Sequence, residues 1–487
     1  MKPSIKTICK KNPLQDGLFP IYLRVTINRK SKFYSTPYKC KLIEWNSKTG
    51  EFNSKFRNHL SFNSSLRTLK DEATDIIEKI QKEQGMVTLI QFDNHYRLRG
   101  NSGILQVTCM LSGHLFGVDK SQNITRGGCP EDCEYCPFEK DDEGNPTQPR
   151  SYLTLEPANM RAAQNKHHPL GQIFSRLQQF DKMGHLSPEP DNPAKIEYMI
   201  SGGTFNFFPK DYVIWFTNMS YYAMNIYYDF MELLEASTDN GHDIPAKIRP
   251  PLSLLEEQKI NQTAPIRMVG FTVETRPDYL TEADDLYAVI RYFRYLGITR
   301  VQTGTQHVND EILKKAKRNC TNAENQEGNK ILMQNGFKVD NHWMPDLFGS
   351  SPEIDKNMID YIFSHPNYQV DEIKIYPTTV VPYSKLAERY KSGEYVPYAE
   401  LDDGKYIKEV LIHFVHSVPY YMRVNRVVRD FFTDVVMGGT TDGDMRNYIE
   451  DYMDKNSMIL REMRSREIAD DEFDENDCHL FIDKFSA

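Results

Sequence analysis

Ile21, Leu23, Val25 and Ile27 stand two positions apart, with polar or bulkier residues between them. A period of two is that of a half-buried strand. It predicts a strand here, a turn at "NRKSK" and a return strand at "FYSTPY". From Leu66 to Gln84 the apolar positions recur every three and four residues, which predicts an amphipathic helix. Together these make a small α+β unit ending near residue 95. Beyond it the pattern changes. Short apolar runs at 103–110, 195–201, 266–274, 298–304, 338–344 and 372–378 alternate with helical stretches such as 170–184, 281–296 and 323–336. Six β/α units in series predict an α/β fold, a parallel barrel or part of one, with its chemistry at the carboxyl ends of the strands. The polar stretch 139–150 is expected to be a mobile loop. The final residues, with the acidic run "DDEFDEND", read as a linker into a further domain that the 487 residues do not include.

Composition narrows the class. No run of ~18 apolar residues occurs, so no membrane span is predicted, and "MKPSIKTICKKNPLQDG" has no apolar segment of a secretory signal. Most of the eight cysteines are isolated, which fits a reducing cytoplasm better than a disulfide framework. Charge is uneven. Residues 1–70 hold fifteen Lys/Arg and three acids, a net of +12, which leaves −21 for the remainder of a chain of net −9. Such a segment either meets a polyanion or is a solvated basic surface.

The concentrated chemistry lies in "GGCPEDCEYCPFE", residues 127–139, where Cys129, Cys133 and Cys136 follow the first barrel strand. Three thiolates at this spacing can hold three irons of a 4Fe-4S cluster and leave the fourth open to another ligand. Structural zinc would want a fourth Cys or His close by, and none stands there. A redox Cys-x-x-Cys pair would not need the third cysteine. The triplet is identified as the radical SAM signature, in which the open iron binds S-adenosylmethionine. A second mark of that class is a glycine pair after the next strand, here Gly202 and Gly203 with Thr204 in "MISGGTFNF". As a bare strand-to-helix turn the same residues would carry no chemistry.

Two resemblances divide the chain. Through "NPLQDGLFPIYLRVTINRKSKFYS" and "EWNSKTGEF", residues 1–95 resemble the arm-type DNA-binding domain of phage and transposon integrases. That implies a contact with duplex DNA or another nucleic acid. Residues 97–470 resemble the catalytic subunit of Elongator, the enzyme that carboxymethylates the wobble uridine of tRNA. The matching blocks include "SYLTLEPANMRA", "KIEYMISGGTF", "GFTVETRPDYL", "GFKVDNHWMPDL", "EIKIYPTTVV", "YKSGEYVPY", "RVNRVVRD" and "RSREI". This resemblance implies a radical SAM partial (β/α)6 barrel over 96–400, followed by a helical extension and linker over 401–487. It also implies a 4Fe-4S cluster on Cys129, Cys133 and Cys136, S-adenosylmethionine, and acetyl-CoA as co-substrate. The 5′-deoxyadenosyl radical takes hydrogen from the acetyl methyl, the resulting carbon radical adds to the uridine 5-position, and thioester hydrolysis leaves a carboxymethyl group. Gly202, Gly203 and Thr204 match the segment that holds the methionine amino group, and Lys195 matches a lysine associated with acetyl-CoA.

Arg423, Arg426 and Arg429 recur every three residues. On a helix they would share a face, either toward tRNA phosphates or toward solvent. Several features depart from the Elongator pattern. An acetyltransferase-like domain does not follow the barrel, so one supplied in trans is expected. An integrase-like unit stands where an RNA-binding segment is usual. Leu460 replaces a cysteine of a linker zinc site, of which Cys478 and His479 are the candidate remnant. Gln302 stands where an acid is expected. Cys9, Cys40, Cys109 and Cys320 are expected in the core or at the surface, and His342 either packs as a core histidine or faces the barrel cavity. The competing view is a nucleic-acid-binding fusion whose barrel is inactive or differently specific.

Overall fold

The computed structural model describes residues 3–9, 18–27, 30–56, 59–84, 104–114, 122–182, 185–186, 193–239, 248–281, 285–429, 431, 433–440, 442, 444–467 and 482. The boundary expected near residue 95, the acidic run, Cys478 and His479 lie outside them. The chain divides into two compact units, one of residues 1–104 with 177–194, the other of 105–176 with 195–487.

In the first unit an antiparallel sheet has the order β1 (Ser4–Cys9), β2 (Phe19–Ile27), β3 (Lys30–Cys40). A two-residue pair follows, β4 (Trp45–Asn46) with β5 (Glu51–Phe52). The helix α1 (His59–Gln84) begins seven residues before the periodic stretch that predicts it. The alternation in β2 does what its period requires. Leu23, Val25 and Ile27 are buried against Ala73, Ile77 and Ile80 of α1, while Ile21 joins Cys40, Phe52 and Leu66 in a second cluster. Each such side chain removed from water contributes roughly 1.5–3 kcal/mol, which is why the sheet face and the helix stripe specify each other.

The second unit is built on a seven-stranded sheet: β6 (Ile104–Met110), β7 (Ala194–Ser201), β8 (Ile266–Thr275), β9 (Arg300–Gln306), β10 (Lys338–Trp343), β11 (Glu372–Ile375) and β12 (Arg423–Arg426). Spatial order follows chain order, and β8 through β12 pair in parallel. This is the radical SAM half-barrel. Crossover helices cover its outside, among them α2 (Leu286–Leu296) and α3 (Asn322–Gln334). Asp285 caps α2, Gly297 ends it in the left-handed conformation, and Thr321 with Glu324 forms the capping box of α3.

The sheet has one strand more than the sequence pattern predicts. Its seventh strand lies beyond residue 400, inside the stretch read as a helical extension, and it corrects the helical placement of Arg423, Arg426 and Arg429. The arginine spacing of three suggests a helix, but β-branched Val424 is fully buried and the segment pairs with β11 in the register Glu372↔Arg423 and Ile373↔Val424. Membership in the sheet overrides the local arginine period.

Side chains alternate across these strands, and the inner face is polar. Val301, Thr303 and Thr305 of β9 are buried on one face, whereas Gln302, Gly304 and Gln306 line a cavity on the other. Likewise Val339, Asn341 and Trp343 of β10 are buried, while His342 reaches the cavity. Among the described residues, no helix is long and apolar enough to cross a membrane.

Candidate active site

The three cysteines meet in a cavity of about 100 Å³ at the carboxyl ends of the strands, which Gly203, Glu274 and Gln306 also line. Their loop is fastened on both sides. Glu134 is buried, and Lys317 and Arg389 donate to its carboxylate at 2.6 and 2.9 Å. Burial pushes this carboxyl up, but the hydrogen bonds from Arg389 and Lys317 outweigh it and leave the acid below its usual range. Its backbone N–H donates to Ala316 and its carbonyl accepts from Leu386. On the other side, Arg150 donates its N–H to the Gly127 carbonyl at 3.0 Å and lays its guanidinium over the Phe138 ring. The stretch 139–150, expected to be mobile, is tied down by a turn in which the Asp141 carboxylate accepts from the N–H groups of Glu143 and Asn145.

Glycine is required at one point of this loop. Gly128 has φ +66°, and a Cβ there would come within 1.8 Å of the Phe208 ring. Gly203 has φ +73°, where a Cβ would stand 3.4 Å from the Arg150 carbonyl. The glycine pair after β7 therefore lies directly against the cysteine loop. Thr204 next to it is buried, and its hydroxyl donates to Cys129 Sγ at 3.2 Å. The Gly202 N–H donates to Glu274 at 3.3 Å, and the same carboxylate accepts from the Tyr152 hydroxyl.

Two arginines that the sequence reading did not single out complete the site. Arg276, at the end of β8, and Arg318 each bring a guanidinium nitrogen to 3.9 Å from Cys133 Sγ. Both are buried. Asp278 neutralises Arg276 through a bidentate contact, and Arg318 donates to the Gly304 carbonyl. Arg276 falls in the block "GFTVETRPDYL", which carries part of the resemblance, whereas Arg318 lies in none of the matching blocks.

This donor set fits an iron–sulfur cluster. Burial, then the neighbouring Cys133 and Cys129, push the Cys136 thiol up to about 12. A bound metal cation reverses that balance, because it favours the thiolate over the thiol. Arg318 supplies positive charge and Arg276, paired with Asp278, directs its Nη1 N–H toward the place of an anionic cluster, and the buried Tyr135 hydroxyl and Arg318 Nε have no hydrogen-bond partner. Among the described residues no three Cys, His, Asp or Glu side chains are placed to hold one metal ion. Ligands of a cube, each on its own iron, stand farther apart than ligands of a single ion.

Other expected residues fall elsewhere. Lys195 is exposed at the amino end of β7, six residues before Ser201 and so roughly 20 Å along the strand from the cavity end. Arg423 pairs with Glu467 at 3.0 Å. Arg429 is turned inward, donating to Glu156 at 2.9 Å and to the Ser151 carbonyl at 2.6 Å. It pins the end of the cysteine-bearing segment instead of presenting a charge to solvent. Gln302 accepts from Lys374 at 2.8 Å. Cys40, Cys109 and Cys320 are buried as core residues, and Cys9 packs against the cluster around Cys40.

Comparison with known proteins agrees with this division. A family model described as an Arm DNA-binding domain matches residues 7–92, and one described as a Radical SAM C-terminal domain matches residues 370–455. A protein of Methanocaldococcus infernus named tRNA uridine(34) acetyltransferase is 34% identical over 342 residues, 70% of this chain and 57% of the relative. Elongator complex protein 3 of Homo sapiens is 28% identical over 372 residues, 76% of this chain and 60% of the relative. The solved structure of an N-terminally deleted archaeal Elp3 from Methanocaldococcus infernus superposes with TM-score 0.56 at 29% identity, covering 75% of this chain and 66% of that one. The chain thus spans a little over half the length of the curated relatives it matches.

Proposed function

The chain is similar to the tRNA uridine(34) acetyltransferases and to Elongator complex protein 3, and on that footing we propose that it is a radical SAM enzyme acting on the wobble uridine of tRNA. The proposed reaction is 5-carboxymethylation, with acetyl-CoA as the source of the two carbons. The observation that carries this reading is the convergence of Cys129, Cys133 and Cys136 on one cavity, with two buried guanidinium groups beside Cys133. When bound, a 4Fe-4S cluster and S-adenosylmethionine supply a 5′-deoxyadenosyl radical.

The chain's own residues do the rest. Cys129, Cys133 and Cys136 hold the cluster. Arg318 offsets its charge, and Arg276, paired with Asp278, offers it an N–H donor, in a site where burial strengthens every electrostatic contact. Gly202, Gly203 and Thr204 receive the methionine end of the co-substrate, and Glu274 fixes Gly202 through its backbone. The polar inner wall of β9 to β11 is left for the acceptor base. Exposed Lys195 suits a contact with a CoA phosphate outside the cavity. The deciding measurement is nucleoside mass spectrometry of tRNA incubated with the chain, S-adenosylmethionine, reductant and acetyl-CoA. Carboxymethyluridine is the expected product, in trans with an acetyltransferase-like domain if the chain alone turns over slowly. Tritium or deuterium from labelled acetyl-CoA that never enters tRNA under either condition overturns the reading.

The first unit contributes binding. Its net charge of +12 over residues 1–70 and its match to an arm-type domain support a contact with nucleic-acid phosphates. Affinity of the full chain is therefore expected to fall steeply with salt, with a log–log slope of about −0.9 per phosphate neutralised on duplex DNA. Fluorescence anisotropy with duplex DNA and tRNA, from low to high salt, measures it. Tighter binding to DNA supports the arm-type role, tighter binding to tRNA supports recruitment to the substrate, and a salt-independent affinity removes both.

A further inference from the structure

Tyr383 stands in a backbone conformation that its side chain opposes. Its φ is +64°, in the left-handed region that a bulky residue rarely adopts. The surroundings hold it there. Its carbonyl accepts from the Phe138 N–H at 2.9 Å, and three residues on the Leu386 N–H donates to the Glu134 carbonyl at 2.8 Å. Ser384 donates its hydroxyl to the Val381 carbonyl at 2.7 Å and caps the helix Lys385–Lys391. Val381, Ser384 and Leu386 are all buried. The neighbours thus dictate a chain path that glycine would take without strain.

The ring returns nothing to the fold. It is 58% exposed, and among the described residues neither ring nor hydroxyl has a hydrogen-bonding, charged or aromatic partner. Its place is close to the chemistry, however. Tyr383 follows β11, which ends at Ile375, and so lies on the side of the sheet where the strand ends form the cavity. Its backbone partner Phe138 is two residues past Cys136. Beside it, exposed Lys140 sets its ammonium 4.7 Å from the centre of the Phe138 ring and makes no ion pair among the described residues. Neighbouring cations are engaged: Arg150 and Lys385 pair with Asp132, and Lys317 and Arg389 pair with Glu134. Lys140 keeps its charge for a ligand.

We infer that Tyr383 and Lys140 form a docking point for the nucleotide next to the wobble uridine, with Tyr383 stacking on its base and Lys140 meeting its phosphate. This rests on the tRNA-uridine reading above and deepens it. A base that enters an enclosed cavity must leave the stack of the anticodon loop, which bares the face of a neighbouring base. An exposed aromatic ring beside the cavity restores that stack whatever the base, because every base has a π-face. A cation alongside it meets the backbone of the same strand. Strain at an exposed tyrosine that packs against no ring is then the cost of placing the ring where the RNA needs it.

The test uses the full chain, anaerobically reconstituted, and a fluorescently labelled anticodon stem-loop with uridine at the wobble position. Two further RNAs carry an abasic nucleotide immediately 5′ or 3′ of that uridine. Tyr383→Gly is expected to weaken the intact RNA about five- to a hundredfold, the scale of one base stacked on an aromatic ring. The same variant is expected to unfold at the same or a higher denaturant concentration and to keep its iron, since glycine suits the left-handed φ. Tyr383→Phe should bind as the wild type does. One abasic RNA is expected to bind the wild type more weakly by a similar factor, and Tyr383→Gly should weaken that RNA no further, as coupled groups require. Lys140→Gln should reduce the log–log salt slope by about 0.7, one phosphate on a single strand. A tyrosine that serves only the fold would lose stability on going to glycine and show no coupling to either abasic position, and that pattern overturns the inference. Equal wild-type affinity for the intact and both abasic RNAs overturns it without any variant. Carboxymethyluridine formed by a chain that shows no such coupling sinks this inference alone. A wild-type chain that neither binds the stem-loop nor forms the product sinks the tRNA reading with it.

Discussion

Cys133→Ser is expected to abolish cluster loading and, with it, S-adenosylmethionine cleavage. The wild-type chain, reconstituted anaerobically, should bind about four irons, as a 4Fe-4S site requires. Cys133 is the most enclosed of the three ligands and the one that both Arg276 and Arg318 approach. A serine hydroxyl ionises far less readily than a thiol. Its smaller, neutral hydroxyl would leave the buried Arg318 guanidinium without the anionic cluster opposite it, where an uncompensated charge is costly; Arg276 keeps its pair with Asp278. Iron and sulfide assays with the visible absorption spectrum give the loading, and chromatography of 5′-deoxyadenosine gives the turnover. Cys40→Ser serves as the control, because that buried thiol packs with Ile21, Phe52 and Leu66 in the first unit, and its iron content is expected to match the wild type. Wild-type iron in Cys133→Ser would remove the cluster assignment altogether.

A single methyl group at residue 128 is expected to do nearly as much damage. Gly128→Ala must hold alanine at φ +66° and force its Cβ to within 1.8 Å of the Phe208 ring. The left-handed conformation costs about 1–2 kcal/mol. Overpacking against a ring that is 3% exposed adds roughly 1–3 kcal/mol. Since Cys129 is the next residue, relief of the clash displaces a cluster ligand. Expected results are a loss of about 2–5 kcal/mol in stability, read by denaturant unfolding of the reconstituted protein, and an iron content reduced several-fold. Phe208→Ala in the same background opens the space and should return part of the iron. A Gly128→Ala protein with wild-type iron and stability would show that the loop is not held as the structure has it.

Much of this molecule could be read along the chain. Strand β2 declared its buried face through Ile21, Leu23, Val25 and Ile27, because a strand's side chains alternate whatever surrounds it. The six barrel strands and their order followed from apolar runs between helical stretches. The cysteine triplet was legible because cluster ligands lie on one short loop, so their spacing is itself the signal. The short strand β12 was not, since three arginines at helical spacing masked it, and only pairing with β11 decides its conformation.

The cavity walls belong wholly to the tertiary structure. Arg276 and Arg318 reach Cys133 across 143 and 185 residues of chain, a juxtaposition with no local period to reveal it. Lys195 lies on β7 and Gly202 directly follows it, yet one stands at the strand's exposed amino end and the other at the cavity end, because an extended chain carries them apart. Arg429, which resembles a surface charge in the sequence, is turned inward by Glu156 and Ser151. His342 could be read either as core or as cavity lining, and the curl of the sheet settles it. Local periodicity fixed which segments become strands and helices, since those preferences act over a few residues. The meeting of strand ends fixed which charges are buried together, and that depends on every strand being in place.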